Sequence, residues 1–195
     1  MPHLIPPVRG QARPRPRQSL ANLRRDRRGV SAVEFAFIAP VLLVFYCGMS
    51  ELTEAMMAQR RLVALASSIG DVVARQSNVT DAQRTDIFQI GNTLMAPFPT
   101  ATLTMCVVSV SSDTKGKDTV DWAEPYNSPV NCPTAGTVIT SIPDSVLPAS
   151  GSVIMSKASY AYDSPLKLVS PQTITFRRTF YLRPRLSDKV TRSKT

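Results

Sequence analysis

The sequence predicts an α+β protein in which a long N-terminal membrane helix and a second helix precede an antiparallel sheet of about four strands. Three observations carry this prediction. About twenty largely apolar residues follow residue 28, apolar residues then recur at helical spacing, and from residue 101 the pattern changes to the alternation typical of strands. We divide the 195 residues into a leader, a transmembrane helix, an amphipathic helical region and an exported β-rich domain, at 1–29, 30–50, 51–99 and 100–195.

The leader is strongly basic. Residues 1–28 hold eight arginines and one acid, Asp26, and so supply +7 of the formal net charge of +9. Five prolines in the same stretch predict an extended, solvated chain rather than a helix. Basic residues collect on the cytoplasmic side of membrane helices, and here Glu51 and Glu54 follow the apolar segment, so we expect the N-terminus to be cytoplasmic. No aromatic residue stands among the arginines, which favours lipid contact over nucleic-acid binding.

The apolar segment at residues 29–50 contains a single charged residue, Glu34. As a helix it is long enough to cross a bilayer core of about 30 Å. A removable secretory signal is the competing interpretation, but Tyr46 and Met49 occupy positions where its cleavage site would need small residues. Tyr46 also argues against lipoprotein processing at Cys47, which we interpret as a buried membrane cysteine.

Glu34 stands out because a carboxylate inside an apolar helix costs about 2.5 to 3.5 kcal/mol on insertion scales. We therefore expect a counter-charge for it. The alternative is an acid close enough to the membrane interface to stay hydrated.

Two helical patterns follow the membrane segment. The first predicts that the membrane helix continues beyond the bilayer and ends between Gly70 and Gln76. Its apolar face comprises Leu52, Ala55, Met56, Gln59, Leu62, Val63, Ala66, Ile69 and Val73, with Glu51, Glu54, Arg61, Ser68 and Arg75 on the opposite face. Thr80 and Gln83 then have the spacing of a capping box, which predicts a second helix over 81–94.

The remainder of the chain reads as strands separated by prolines. The predicted strands are 101–111, 119–126, 152–162 and 173–183, with a hairpin loop at 113–118 between the first two. Cys106 and Cys132 both lie in this region, and an oxidising periplasm would allow them to form a disulfide. Two free thiols are the alternative, because sequence alone does not show how close the two residues come.

Catalysis finds little support in the residues. The sole histidine, His3, lies in the leader, and no nucleophile-elbow, zinc-protease, phosphate-loop or paired-cysteine motif occurs. Four acids, Asp113, Asp118, Asp121 and Glu124, cluster around the predicted hairpin, where a solvated loop is commoner than a carboxylate dyad or a calcium site. We expect that the protein is not an enzyme and that it uses neither a cofactor nor a metal ion.

The start of the apolar segment resembles a known processing site. Residues 27–35, RRGVSAVEF, resemble the cleavage region of type IV prepilins, where a basic leader ends in a glycine and a glutamate is the fifth residue after it. The wider block of about 45 residues is similar to the TadE-like family of tight-adherence (Flp) pilus systems. The matching positions are Ala32, Val33, Glu34, Phe35, Ala36, Pro40 and Glu51. The run TFYLRPRLSDKV near the C-terminus also resembles the ends of such proteins.

This resemblance implies specific roles for residues. A prepilin peptidase would cut between Gly29 and Val30, and Glu34 and Phe35 would act in assembly. After the cut, the new α-ammonium of Val30 lies four residues from Glu34 on the same helix face, where a carboxylate is favoured. In a stack of subunits, the resemblance implies that the carboxylate pairs with the ammonium of a neighbour.

The resemblance also implies a function and a location. The chain would be a minor pilin or pseudopilin with a pilin-like fold, taking part in the assembly of a tight-adherence pilus at the bacterial inner membrane. Its domain would be periplasmic or lie in the extracellular pilus. Its partners would be other pilus subunits, inner-membrane assembly proteins, the prepilin peptidase and the lipid bilayer, without nucleic acid. Some family members keep their leader, so an uncleaved, membrane-anchored binding or adhesion protein is the alternative.

Overall fold

The computed structural model describes residues 28–168 and 171–194. The predicted leader therefore lies outside the described residues, apart from its last two positions. The chain divides into two compact units, Met1–Tyr46 and Cys47–Thr195. We describe each by itself.

The first unit, as far as it is described, is helical. Helix α1 runs from Arg28 to Ala74, a length of 47 residues. Within the first unit its large apolar side chains are all more than half exposed, from 54% at Val30 to 76% at Phe37. Helix α1 is long and apolar enough to cross a membrane, and it is the one such helix among the described residues. The predicted continuation of the membrane helix to between residues 70 and 76 agrees with its end at Ala74.

The second unit places helices on one face of an antiparallel sheet, which confirms the predicted α+β class. The elements that follow α1 are β1 (Asn78–Val79), α2 (Asp81–Met95), β2 (Leu103–Ser112), β3 (Asp118–Tyr126), β4 (Val138–Ile139), β5 (Ser152–Tyr162), β6 (Ile174–Leu182) and β7 (Thr191–Arg192). The main sheet has five strands in the order β4-β3-β2-β5-β6. Strands β1 and β7 form a separate parallel pair.

Local sequence signals explain the accurate boundaries. Thr80 caps α2 with a complete capping box to Gln83, as predicted, because the threonine hydroxyl accepts the Gln83 N–H and the glutamine side chain accepts the Thr80 N–H. Strand β5 has its predicted limits, and the other three long strands differ by one or two residues at their ends. The fifth strand, β4, has two residues, which is too short to produce a periodic pattern.

The sheet is covered on both faces. Alternate residues of β2 point in opposite directions, so Met105 and Val107 join the helices in one buried cluster, whereas Cys106 and Val108 join a second cluster on the other face. From α1, the first cluster receives fully buried side chains such as Leu62 and Leu65. Ile142 and Leu147, from the segment between β4 and β5, contribute to the second cluster. The helices thus cover one face of the sheet, and the segment between β4 and β5 covers the other.

Two glycines let the helices approach closely. A Cβ atom on Gly91 of α2 would lie 2.6 Å from Met105 Sδ and 2.9 Å from Ile69 Cδ1, and one on Gly70 of α1 would overlap Leu182. The helix does not end at Gly70, which instead serves as a contact point with the sheet.

Candidate functional site

The predicted processing junction lies in the first turn of α1. The helix begins at Arg28, so Gly29 and Val30 are helical. A Cβ atom on Gly29 would meet nothing within 4 Å, and Val30 is 54% exposed. Cleavage between the two residues stays a prediction.

Glu34 occupies an exposed position in an otherwise apolar stretch of α1. It is four residues after Val30, a spacing that places both on the same helix face. Among residues 28–168 and 171–194, its carboxylate forms no ion pair or hydrogen bond. Its pairing with a cation of a neighbouring subunit stays a prediction.

Phe35 is also exposed, at 69%, and its role in assembly stays a prediction. The helix around it is apolar on all sides, which is characteristic of a membrane span rather than of the surface helix of a soluble protein. Pro40 lies inside the same stretch and lacks the N–H that would bond to the Ala36 carbonyl. In lipid, such a break is tolerated where neighbours compensate.

Glu51 corrects one sequence prediction. Its assignment to the polar face of the amphipathic helix is wrong, because the residue is only 4% exposed. Its Oε1 atom accepts the backbone N–H of Leu168 at 3.0 Å. That residue lies 117 positions further along the chain, so helical periodicity does not reveal the contact.

The opposite error concerns Leu52 and Met56, which the periodicity placed on the core face. They are 50% and 47% exposed, whereas Ala58, Leu62 and Leu65 are fully buried. The predicted core face is thus confirmed from Leu62 to Val73 and wrong only at its start. Apolar residues at the start of the second unit are consequently left on the surface.

Glu54 has a second, weaker contact near the same turn. Its Oε2 atom accepts the hydroxyl of Tyr162 at 3.4 Å. Burial raises the pKa of Tyr162, and the negative charge of Glu54 raises that pKa further. Two successive acids after the apolar segment therefore both bind the end of β5 or the loop that follows it.

Cys106 and Cys132 form a disulfide in the structure, with their Cα atoms 5.8 Å apart. Cys106 lies buried in β2, and Cys132 lies in the segment between β3 and β4. The bond closes a loop of 26 residues and holds this segment to the sheet. The third cysteine, Cys47, forms no disulfide in the described part of the chain and is partly exposed.

Thiol labelling of the unreduced, denatured chain tests the disulfide. We expect one label per chain, on Cys47, and three after reduction, because the sequence contains three cysteines. Cys47 serves as the internal control for labelling efficiency. Three labels before reduction would contradict the bond. In the chain-entropy model, a loop of this length stabilises the domain by about 3 kcal/mol.

The four acids near the β2–β3 hairpin form contacts within the fold or are buried in it. Asp113 accepts the N–H groups of Lys117 and Lys115, both at 2.8 Å, and these bonds hold the pKa of its carboxyl below the usual value. Asp121 accepts the hydroxyl of Ser111 at 2.9 Å, and Asp118 is buried. In the described part of the chain, no group of three or more histidine, cysteine or acidic residues is arranged to hold a metal ion.

Glu124 belongs to a partly buried ion-pair network that the sequence does not reveal. Arg192 of β7 is 6% exposed, donates from Nε to Glu124 at 2.7 Å and pairs with Asp81 of α2. Arg84 approaches the second Glu124 oxygen at 2.5 Å. Burial lowers the pKa of Arg192, but the two carboxylates outweigh that effect and raise it overall. Nearby, the Trp122 indole donates to the carbonyl of Val190 at 2.8 Å.

Comparison with known proteins identifies one segment. Residues 29–70 match the family model described as TadE-like protein. The match covers the predicted junction, Glu34, Phe35 and Glu51, and confirms the resemblance predicted from the sequence. No curated protein and no solved structure matches the chain.

Proposed function

We propose that this chain is a minor pilin or pseudopilin that takes part in assembling a tight-adherence pilus at the bacterial inner membrane. The observation that carries the proposal is the TadE-like match at residues 29–70. The match begins on the apolar stretch of α1 whose large side chains are exposed and extends into the part of α1 that packs against the sheet. The role we propose is structural, not catalytic, and its partners are other pilus subunits, assembly proteins and the prepilin peptidase.

In this proposal the two halves of α1 have different roles. Residues 30–50 hold the chain in the bilayer, and the half from Ala58 onward forms the centre of the exported domain. A carboxylate at Glu34 costs free energy in lipid, so an ammonium group from a neighbouring cleaved subunit stabilises it. Because that pair forms only when the subunits are in register, it selects the correct packing of helices.

The proposed topology places the leader in the cytoplasm and the β-rich domain in the periplasm. The leader arginines support this orientation, because basic residues are retained on the cytoplasmic side. The disulfide in the β-rich domain also supports it, because such bonds persist in oxidising compartments.

Intact-mass measurement on protein extracted from membranes tests the processing step. In cells with an active prepilin peptidase, we expect a chain that begins at Val30. Cells without the peptidase provide the control and should yield a chain that retains residues 1–29. Retention of the leader in both strains would contradict the pilin proposal and support an uncleaved anchor.

One observation favours that second candidate, a membrane-anchored binding protein. A groove of about 410 Å³ is lined in part by Asn131, Lys157 and Arg177. Lys157 donates to the carbonyl of Asn131 at 3.3 Å, and burial lowers its pKa. Grooves of this size and polarity suit a small ligand or a short peptide. The mass measurement separates the two functions, because a binding protein needs no cleavage.

A further inference from the structure

The loop between β5 and β6 exposes two leucines. Leu166 and Leu168 are each 53% exposed, and Lys167 stands between them. On the turn of α1 around Glu51, Met49 and Leu52 are each 50% exposed. Single exposed apolar residues are ordinary, but several close together indicate a surface that contacts lipid or another molecule.

This loop is held to the helix and does not simply extend into solvent. The buried carboxylate of Glu51 accepts the N–H of Leu168 at 3.0 Å. Lys167 has a φ of +55°, a left-handed conformation that a residue with a side chain rarely adopts unless its surroundings impose it. Its ammonium group lies 3.2 Å from the carboxylate of Asp163. The described part of the loop is thus bonded to α1 at Leu168.

The position of Glu51 in the sequence suggests what covers the two leucines. Glu51 is the residue that directly follows the predicted membrane span of residues 30–50. A segment bonded to this residue lies at the level where a bilayer changes from hydrocarbon to headgroups, a zone several ångströms deep. Exposed leucines suit that zone, because apolar side chains enter the acyl boundary there.

We propose that the loop at residues 163–168 is a second lipid contact, with Leu166 and Leu168 inserted into the interface of the leaflet that α1 leaves at Glu51. The inference rests on the proposed membrane anchoring. The occupant is lipid rather than protein, because the Leu168 N–H is bonded to Glu51, the residue that directly follows the predicted membrane span. This contact would restrict the tilt of the β-rich domain on the membrane.

Tryptophan fluorescence of the full chain in lipid vesicles tests the proposal. Leu168→Trp and Leu166→Trp would be compared in phosphatidylcholine–phosphatidylglycerol vesicles with and without lipids brominated near the glycerol end of the acyl chain. After subtraction of the wild-type signal from Trp122, we expect the added emission to be blue-shifted and to fall in brominated vesicles. Leu186→Trp is the matched control, because Leu186 is also exposed, at 73%, but lies in the segment between β6 and β7. Its emission should stay red-shifted and unquenched.

The remaining outcomes overturn the inference in distinguishable ways. Red-shifted, unquenched emission from both loop variants, with the chain still in the vesicles, would show that the loop lies in water. Blue-shifted emission without quenching would show that protein, such as a second copy, covers the leucines. Loss of wild-type chain from the vesicles after alkaline extraction would instead refute the membrane anchoring on which the proposal rests.

Discussion

Glu34→Ala should abolish or sharply reduce pilus production while leaving the protein level and the processing of the leader unchanged. The carboxylate has no partner among the described residues, and its removal takes away a charge that opposes insertion, so stability in the membrane should not fall. Assembly should fail because the ammonium group of the neighbouring subunit then lies in lipid without a counter-charge. Pilus yield and co-purification with other pilus subunits measure the effect.

Two further variants make the Glu34 test specific. Glu34→Gln keeps the size of the side chain and removes its charge, so it should behave like Glu34→Ala. Ser31→Ala changes a polar residue of the same stretch that carries no charge, and should assemble normally. Normal pilus yield from both Glu34 variants would identify Glu34 as a tolerated acid at the membrane interface.

Arg192→Met should lower the free energy of unfolding of the second unit by about 2 kcal/mol, because Glu124, whose side chain is 15% exposed, then loses its charge-assisted hydrogen bond to Arg192 and keeps the ion pair with Arg84. Arg192 is 6% exposed and contacts carboxylates from two elements, Asp81 and Glu124. Thermal or denaturant unfolding of the full chain in detergent, followed by Trp122 fluorescence, measures the change. Trp122 is a suitable probe because it donates to Val190, two residues before the mutated position.

Arg185→Met is the matched control for this measurement. Arg185 pairs with Asp71 at 2.6 Å, but its side chain is 57% exposed, and exposed pairs contribute between zero and about 1 kcal/mol. An equal loss of stability in both variants would show that the burial of the Arg192 network does not matter.

Features encoded by neighbouring residues were predictable from the sequence. The capping box of Thr80 and Gln83, the end of α1 and the limits of β5 all depend on residues within one or two turns or along one strand. The apolar segment and Glu34 are recognisable for the same reason. Their interpretation as an assembly site came from the family resemblance and stays a prediction.

Features that depend on distant residues were missed. The burial of Glu51 depends on Leu168, and the network around Arg192 joins residues up to 111 positions apart. Leu52 and Met56 are exposed because packing against the sheet determines which side chains of α1 are buried. Helical spacing shows that an apolar stripe exists but does not fix where along the helix it contacts the sheet. None of these contacts leaves a local pattern in the sequence.

The parallel pair β1–β7 joins residues 113 positions apart. The Ser77 carbonyl accepts the Thr191 N–H at 3.0 Å, and that of Val79 accepts the Ser193 N–H at 3.1 Å. In the proposed topology β7 reaches the periplasm later than α1 and β1, so these carbonyls gain their partners only when β7 has been translocated. Until then Trp122 also lacks the Val190 carbonyl. In that topology the β1–β7 pair and the Trp122 bond therefore form only after β7 has crossed the membrane, so the domain acquires these contacts late in its folding.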